Sequence, residues 1–216
     1  MPKLSRTWKA VLIIVLLVLI DQTVKIIVKT HLQLHESIRV ADWFYIYFTE
    51  NNGMAFGWEF FDKIFLTLFR IVASGLLIWY LLRLTRRPEA KMGYIVCIAL
   101  VTAGALGNIF DCLFYGLVFD HSVGQVATLF PEGGGYAPLF YGRVVDMLYF
   151  PLIETVWPDW VPVWGGQEFV FFRPVFNVAD SCITVGVFVL LIFYHRSLAS
   201  DLDRKSASSS SDGKKA

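Results

Sequence analysis

The chain has 216 residues, 56% of them hydrophobic and 17% charged, with a mean hydropathy of +0.57. That is too apolar for an ordinary soluble domain and fits one compact polytopic membrane bundle. Lys and Arg total 19 against 18 Asp and Glu, a net charge of +1 that gives no basis for nucleic-acid binding. In chain order, Lys3, Arg6 and Lys9 followed by the apolar run 10–20 look like the start of a secretory signal peptide. No small-x-small cleavage site follows, however, and the apolar pattern resumes at Ile26 after the polar interruption at Asp21 to Lys25. Residues 8–28 therefore read as a first transmembrane helix of about 20 residues that stays in place.

Residues 31–57 form an outer segment in which the β-prone stretch 43–49 precedes Asn51-Asn52-Gly53, the pattern of a short hairpin or small sheet at the membrane surface. Further spans are expected at about 62–84 and 92–114. The long segment 116–173 is rich in Gly, Pro and Trp. Its Gly133-Gly134-Gly135 reads as flexibility, and Tyr149, Phe150, Trp157, Trp160 and Trp164 suit a cap resting on lipid headgroups. A fourth span is expected at 174–194, with Pro174 as its first residue, followed by a Ser-rich charged tail at 197–216 that reads as disordered. The expected fold is thus an α-helical membrane protein. Four transmembrane helices carry a small extracytoplasmic β-rich cradle and a long extracytoplasmic loop, all in one domain over 1–196.

Basic residues orient the spans, because cytoplasmic loops retain Lys and Arg. The N-terminus, the Arg83, Arg86, Arg87, Lys91 connection and the His195, Arg196, Arg204, Lys205 end all fall on one side, so both termini are expected in the cytoplasm. Every span then carries its polar groups in its outer half: Asp21 and Lys25, Arg70 and Ser74, Asn108 and Asp111, Asn177 and Asp180. Gly104, Asn108 and Asp111 share a helix face, as do Asn177, Asp180 and Thr184. Ionisable groups at that depth line a cavity, find a partner or titrate. For Asp21, Lys25 and Arg70 a structural role is at least as good a reading, since Asp21 and Lys25 at i, i+4 make an internal ion pair. Asp180 suits a helix N-terminus, but capping leaves Asn177 unexplained. Asp146, in the short apolar run 142–148, is an even choice between function and structure when taken alone.

Other chemistries are poorly served. There is no Gly-x-Ser-x-Gly, and Cys112 and Cys182 have no His nearby in sequence, which leaves only a spatial partner such as His121. His31 and His35 have ligand-like spacing, but Leu32 stands where a zinc protease needs Glu, and Cys97, Cys112 and Cys182 lack metal-type spacing and read as small apolar helix residues kept reduced. No metal or cofactor is expected. Paired carboxylates at the outer membrane surface remain, and these support acid–base hydrolysis. Two carboxyls about 3 Å apart cannot both ionise, so one keeps a proton while the other activates water against a peptide carbonyl.

Five blocks in order resemble the lipoprotein signal peptidases (signal peptidase II), aspartic proteases of the bacterial cytoplasmic membrane. They are Asp21-Gln22 with Lys25; Asn51-Asn52-Gly53-Met54-Ala55-Phe56; Gly104-Ala105-Leu106-Gly107-Asn108-Ile109-Phe110-Asp111; Val144-Val145-Asp146; and Phe176-Asn177-Val178-Ala179-Asp180. The resemblance implies that Asp146 and Asp180 form the catalytic dyad, with Asn177 beside the second. It also implies that Asn108 and Asp111 support the site, that Asn51 and Gly53 face substrate, and that Asp21 and Lys25 are a polar pair of the first helix. The implied substrate is a prolipoprotein whose lipobox Cys carries diacylglycerol, cut just before that Cys by a monomer in contact with membrane lipid, at the extracytoplasmic face of the inner membrane.

The chain departs from that pattern at Cys112, where the family carries Arg after the third-span Asp, and Arg143 or Arg70 is expected to supply the missing cation near Asp111. Residues 116–141 are an insertion, 151–173 are also long, and Met147 stands where Phe is usual. A transporter relay through Asp111, Asp180, Lys25 and Arg70 is a rival reading, but the inner halves 11–20 and 185–193 are almost purely apolar. A non-catalytic scaffold would account for the loops and not for the paired acids.

Overall fold

The computed structural model describes residues 5–52 and 63–201. Among the described residues three helices are long and apolar enough to cross a membrane: α1 (Arg6–His31), α2 (Lys63–Thr85), and α3 (Met92–Phe110) extended through a π-helical turn (Asp111–Tyr115) and a last helical turn, α4 (Gly116–Val118). α5 (Val178–Phe193) makes a fourth candidate only together with the short helix His195–Asp201, which meets it at 85°. Outward Leu12, Leu16, Phe65, Phe69, Phe188 and Ile192 are exposed, as side chains are when lipid rather than protein surrounds them.

Two compact units share these helices. The first holds residues 1–18, 72–106 and 179–216. Its core gathers Ala10, Leu81, Leu84, Tyr94, Ile95, Ile98 and Leu190. Here Arg87 pairs with Asp201, which also accepts the Tyr80 hydroxyl at 2.7 Å. The first residues of the tail expected to be disordered are therefore helical and anchored.

The second unit, residues 19–71 and 107–178, carries a four-stranded antiparallel sheet in the order β1-β2-β3-β6: β1 (Ser37–Ala41), β2 (Phe44–Asn51), β3 (Val144–Tyr149) and β6 (Val175–Phe176). Its core packs Val28, Leu32, Phe48, Tyr115, Phe119, Val145 and Met147. The β1–β2 hairpin turns between Ala41 and Phe44, not at Asn51-Asn52-Gly53; Asn51 ends β2, and Gly53 lies outside the described residues. A second correction concerns Pro174. Residues 175–176 pair with Leu148 and Tyr149, so the helix that Pro174 was expected to open begins at Val178, after Asn177.

The insertion 116–141 is anchored as well. Phe130 N donates to Val118 O at 2.7 Å and Tyr136 N to Phe119 O at 2.9 Å, while Phe119 bridges Leu129. Within the glycine run Gly135 serves close approach, since a Cβ on it would sit 2.0 Å from the Gly116 carbonyl oxygen, while Gly133 and Gly134 face open space. Beyond β3, a separate hairpin pairs β4 (Ile153–Val156) with β5 (Glu168–Phe171).

Candidate active site

The second unit brings six of the residues singled out from the sequence into one buried network. α1 supplies Asp21 and Lys25, one turn apart on one face; the Lys25 ammonium lies 2.9 Å from Asp21 Oδ2 and 2.8 Å from Asp111 Oδ2, and donates to Asn108 Oδ1 at 3.0 Å. All four side chains are buried. Two carboxylates and an amide oxygen replace the water that a buried ammonium loses. The ammonium paired with Asp111 is that of Lys25, while Arg143 pairs with Glu50. Arg70 Nη1 instead reaches Cys112 Sγ at 3.1 Å, which sets a guanidinium against the residue following Asp111.

From Asn108 the network continues to β3. Asn177, fully buried just before α5, donates its amide to Asn108 Oδ1 at 3.2 Å, to Val145 O at 3.3 Å and to Asp146 Oδ1 at 2.7 Å. Asp111 Oδ2 accepts the Val145 N–H at 3.2 Å, and so fixes the backbone beside Asp146. Strand pairing sets Asp146 opposite Thr49, and Asn51 opposite Val144. The Asp146 carboxylate is thereby held from the amide side and from its own strand, which pre-organises it.

Asp111 opens the π-helical turn, an arrangement frequent at functional sites. The Cys112 carbonyl accepts the Gly142 N–H at 2.9 Å. Gly142 reaches it because it has no side chain: a Cβ there would meet the Asp111 carbonyl oxygen at 2.0 Å.

Arg143 belongs elsewhere. Its Nη1 lies 3.1 Å from Glu50 Oε2, its backbone N–H donates to the Tyr136 hydroxyl at 2.6 Å, and its guanidinium lies 5.4 Å from the Tyr136 ring centre. Glu50 also pairs with Lys29, whose ammonium bonds Ser122 Oγ at 2.8 Å and is ringed by Phe48, Phe119 and Tyr136. Burial alone would raise the Glu50 carboxyl, but the Lys29 and Arg143 cations hold it below its usual range. This second buried cluster ties the insertion, through Ser122 and Tyr136, to the strand that ends in Asn51. Sequence reasoning passed over Lys29 and Glu50. Lys29 continues the face of Asp21 and Lys25 by one more turn, a spacing that would have found it. Gln22 was passed over as a site group too; its Nε2 reaches Asp111 Oδ1 at 2.8 Å, and its Oε1 accepts the Tyr115 hydroxyl at 3.1 Å.

Asp180 is described with the first unit. It is half-buried in the first turn of α5, three residues beyond Asn177, where the helix N-terminus favours a carboxylate.

Known proteins are similar to this chain over most of its length. A lipoprotein signal peptidase of Porphyromonas gingivalis is 55% identical over 193 residues, spanning 89% of this chain and 85% of that protein. One of Amoebophilus asiaticus is 34% identical over 216 residues, spanning 96% and 86%. The fold matches a bacterial membrane enzyme solved at 2.3 Å, with a TM-score of 0.60 at 24% identity over 95% of this chain and 96% of that one. A family model described as signal peptidase (SPase) II matches residues 13–196, and the chain belongs to the signal peptidase II family.

Proposed function

We propose that Asp146 and Asp180 are the two carboxylates with which this aspartic peptidase removes signal peptides from prolipoproteins. The observation that carries the assignment is Asn177: its amide grips Asp146 Oδ1 at 2.7 Å, and Asp180 follows three residues later in the first turn of α5. In the proposed reaction one carboxylate takes a proton from water as that water attacks the scissile carbonyl, and the protonated partner donates to the developing oxyanion. The proton then passes to the leaving amine. Asn177, Asn108, Asp111 and Lys25 position Asp146, and Asp21 balances the Lys25 charge.

The substrate we assign is the diacylglyceryl-modified form, cut just before the lipidated Cys, with Asn51 facing it. The cut falls at the extracytoplasmic face of the bacterial inner membrane, with both termini cytoplasmic. The working unit we assign is the monomer. Lipid contact is assigned to the β4–β5 hairpin, whose tip leaves Trp160 81% and Val163 84% exposed, apolar surface that suits the headgroup region and not water. The test is incubation of the purified protein with a diacylated prolipoprotein, wild type beside Asp146→Asn and Asp180→Asn. Loss of signal-peptide release in both variants, with normal thermal unfolding, supports the pair; full activity in either removes it.

A further inference from the structure

The end of α2 carries a cleft that the peptidase chemistry does not use. Trp79, Leu82, Arg83, Arg86 and Arg87 line a space of about 520 Å³. Arg83 stands in the last turn of α2, Arg86 and Arg87 follow the helix end at Thr85, and all three line the same space, while the Arg83 guanidinium lies 5.6 Å from the Trp79 ring centre. Arg87 is neutralised by Asp201. Arg83 and Arg86 are exposed and pair with no carboxylate among the described residues. Arg6 adds a further cation beside the cleft, its Nη1 held by the carbonyls of Arg87, Pro88 and Ala90 at 2.8 to 3.0 Å.

We infer that this cleft binds the phosphate of an anionic phospholipid headgroup. Guanidinium forks match phosphate oxygens in pairs, and the cleft offers two with no carboxylate partner among the described residues, Arg83 in the last turn of α2 and Arg86 just past its end. Position supplies the second half of the argument. α2 ends at Thr85, so Arg83 to Arg87 lie within about one turn of the end of the span, at the depth of a leaflet's headgroups. Trp79 and Leu82, one to two turns further in, give the glycerol and upper acyl carbons an apolar wall. A soluble phosphate would leave that wall unused. A zwitterionic lipid brings its own ammonium against the arginines, so the cleft discriminates by net charge.

The experiment is native mass spectrometry of the detergent-purified chain with phosphatidylglycerol or phosphatidylcholine, for wild type, Arg83→Gln/Arg86→Gln and Arg196→Gln. The last is an exposed arginine of the same unit, outside the cleft. Wild type is expected to retain phosphatidylglycerol about tenfold better than phosphatidylcholine. The double variant loses that preference, while Arg196→Gln keeps it. Peptidase activity and thermal unfolding of the double variant in detergent stay at wild-type values, which separates this cleft from the proteolytic assignment. Equal retention of the two lipids by wild type, unchanged preference in the double variant, or the same loss in Arg196→Gln overturns the site. Full displacement of phosphatidylglycerol by millimolar inorganic phosphate also overturns it, because the ligand is then a soluble anion.

Discussion

Asn177 and Asp146 are joined by a 2.7 Å hydrogen bond between a buried amide and a buried carboxylate, and Asn177 stands three residues before Asp180. Hydrogen bonds to a charged acceptor are worth about 1.5–3 kcal/mol. Asn177→Ala is therefore expected to lower the rate of signal-peptide release by roughly ten- to a hundredfold, an order of magnitude set by 1.4 kcal/mol per decade. The loss should fall on kcat rather than KM, because the amide holds the carboxylate proposed to react. Steady-state kinetics in proteoliposomes measures the split; a change confined to KM would make Asn177 a substrate contact.

Lys25 is shared between Asp21 and Asp111 inside the second unit. Lys25→Met removes the cation and leaves two buried carboxylates facing each other, at a cost of about 3–5 kcal/mol. Adding Asp111→Asn to that variant removes one of the stranded charges, so the double variant is expected to be more stable than Lys25→Met alone. Chemical unfolding in detergent of the four members of the cycle gives the coupling energy directly. Simple additivity would show that the ion pair is not acting as a unit.

The transmembrane scaffold was legible in the chain because α1, α2 and the stretch from α3 through α4 are each long and apolar enough to cross the hydrocarbon core. Part of the polar network was legible too: of Asp21, Lys25, Arg70, Ser74, Asn108, Asp111, Asn177 and Asp180, singled out by a common expected level, Asp21, Lys25, Asn108, Asp111 and Asn177 meet. What remained hidden is non-local. Pairing of residues 175–176 with β3 displaces the start of α5, and a lone Pro174 looks the same before a strand as before a helix. The partners of Asp111 were hidden for a related reason. Helical spacing shows Lys25 beside Asp21, but only the packing of α1 on the π-helical turn brings it to Asp111. Glu50 carries no periodic signature on β2, and its role arises from Lys29 and Arg143, 21 and 93 residues away.

Glu50 gives the fold an acid limit. Its carboxyl titrates below its ordinary value of 4.5 because Lys29 and Arg143 outweigh the effect of burial. A group whose folded value is depressed contributes stability that is fully present above the unfolded value and is lost as pH falls through the folded one. The thermal midpoint is therefore expected to hold from neutral pH to about 4.5 and to drop below it. Glu50→Gln should lower the neutral-pH midpoint, since Lys29 loses its anion, and flatten the acid limb. An acid limb equally steep in the variant would assign it to other carboxylates.

Gly142 couples the inserted segment to Asp111 through contact alone. A Cβ at this position would stand 2.0 Å from the Asp111 carbonyl oxygen and 3.0 Å from the Gly116 nitrogen. Both are backbone atoms, so no rotamer change relieves the clash; the π-helical turn or the strand entering β3 must move. Gly142→Ala is expected to cost about 1–3 kcal/mol, the usual range for forcing extra volume into a packed site. Gly133→Ala, with nothing within 4 Å of its Cβ, should stay close to wild type and serves as the control for glycine substitution in the same segment. Displacement of the turn also shifts Asp111 Oδ2 from the Val145 N–H, so activity should fall by more than the lost stability accounts for. Comparing the two alanine variants by thermal unfolding and by turnover well below the midpoint separates these effects. A Gly142→Ala protein as stable and as active as Gly133→Ala would mean that the contact is not needed to hold Asp146.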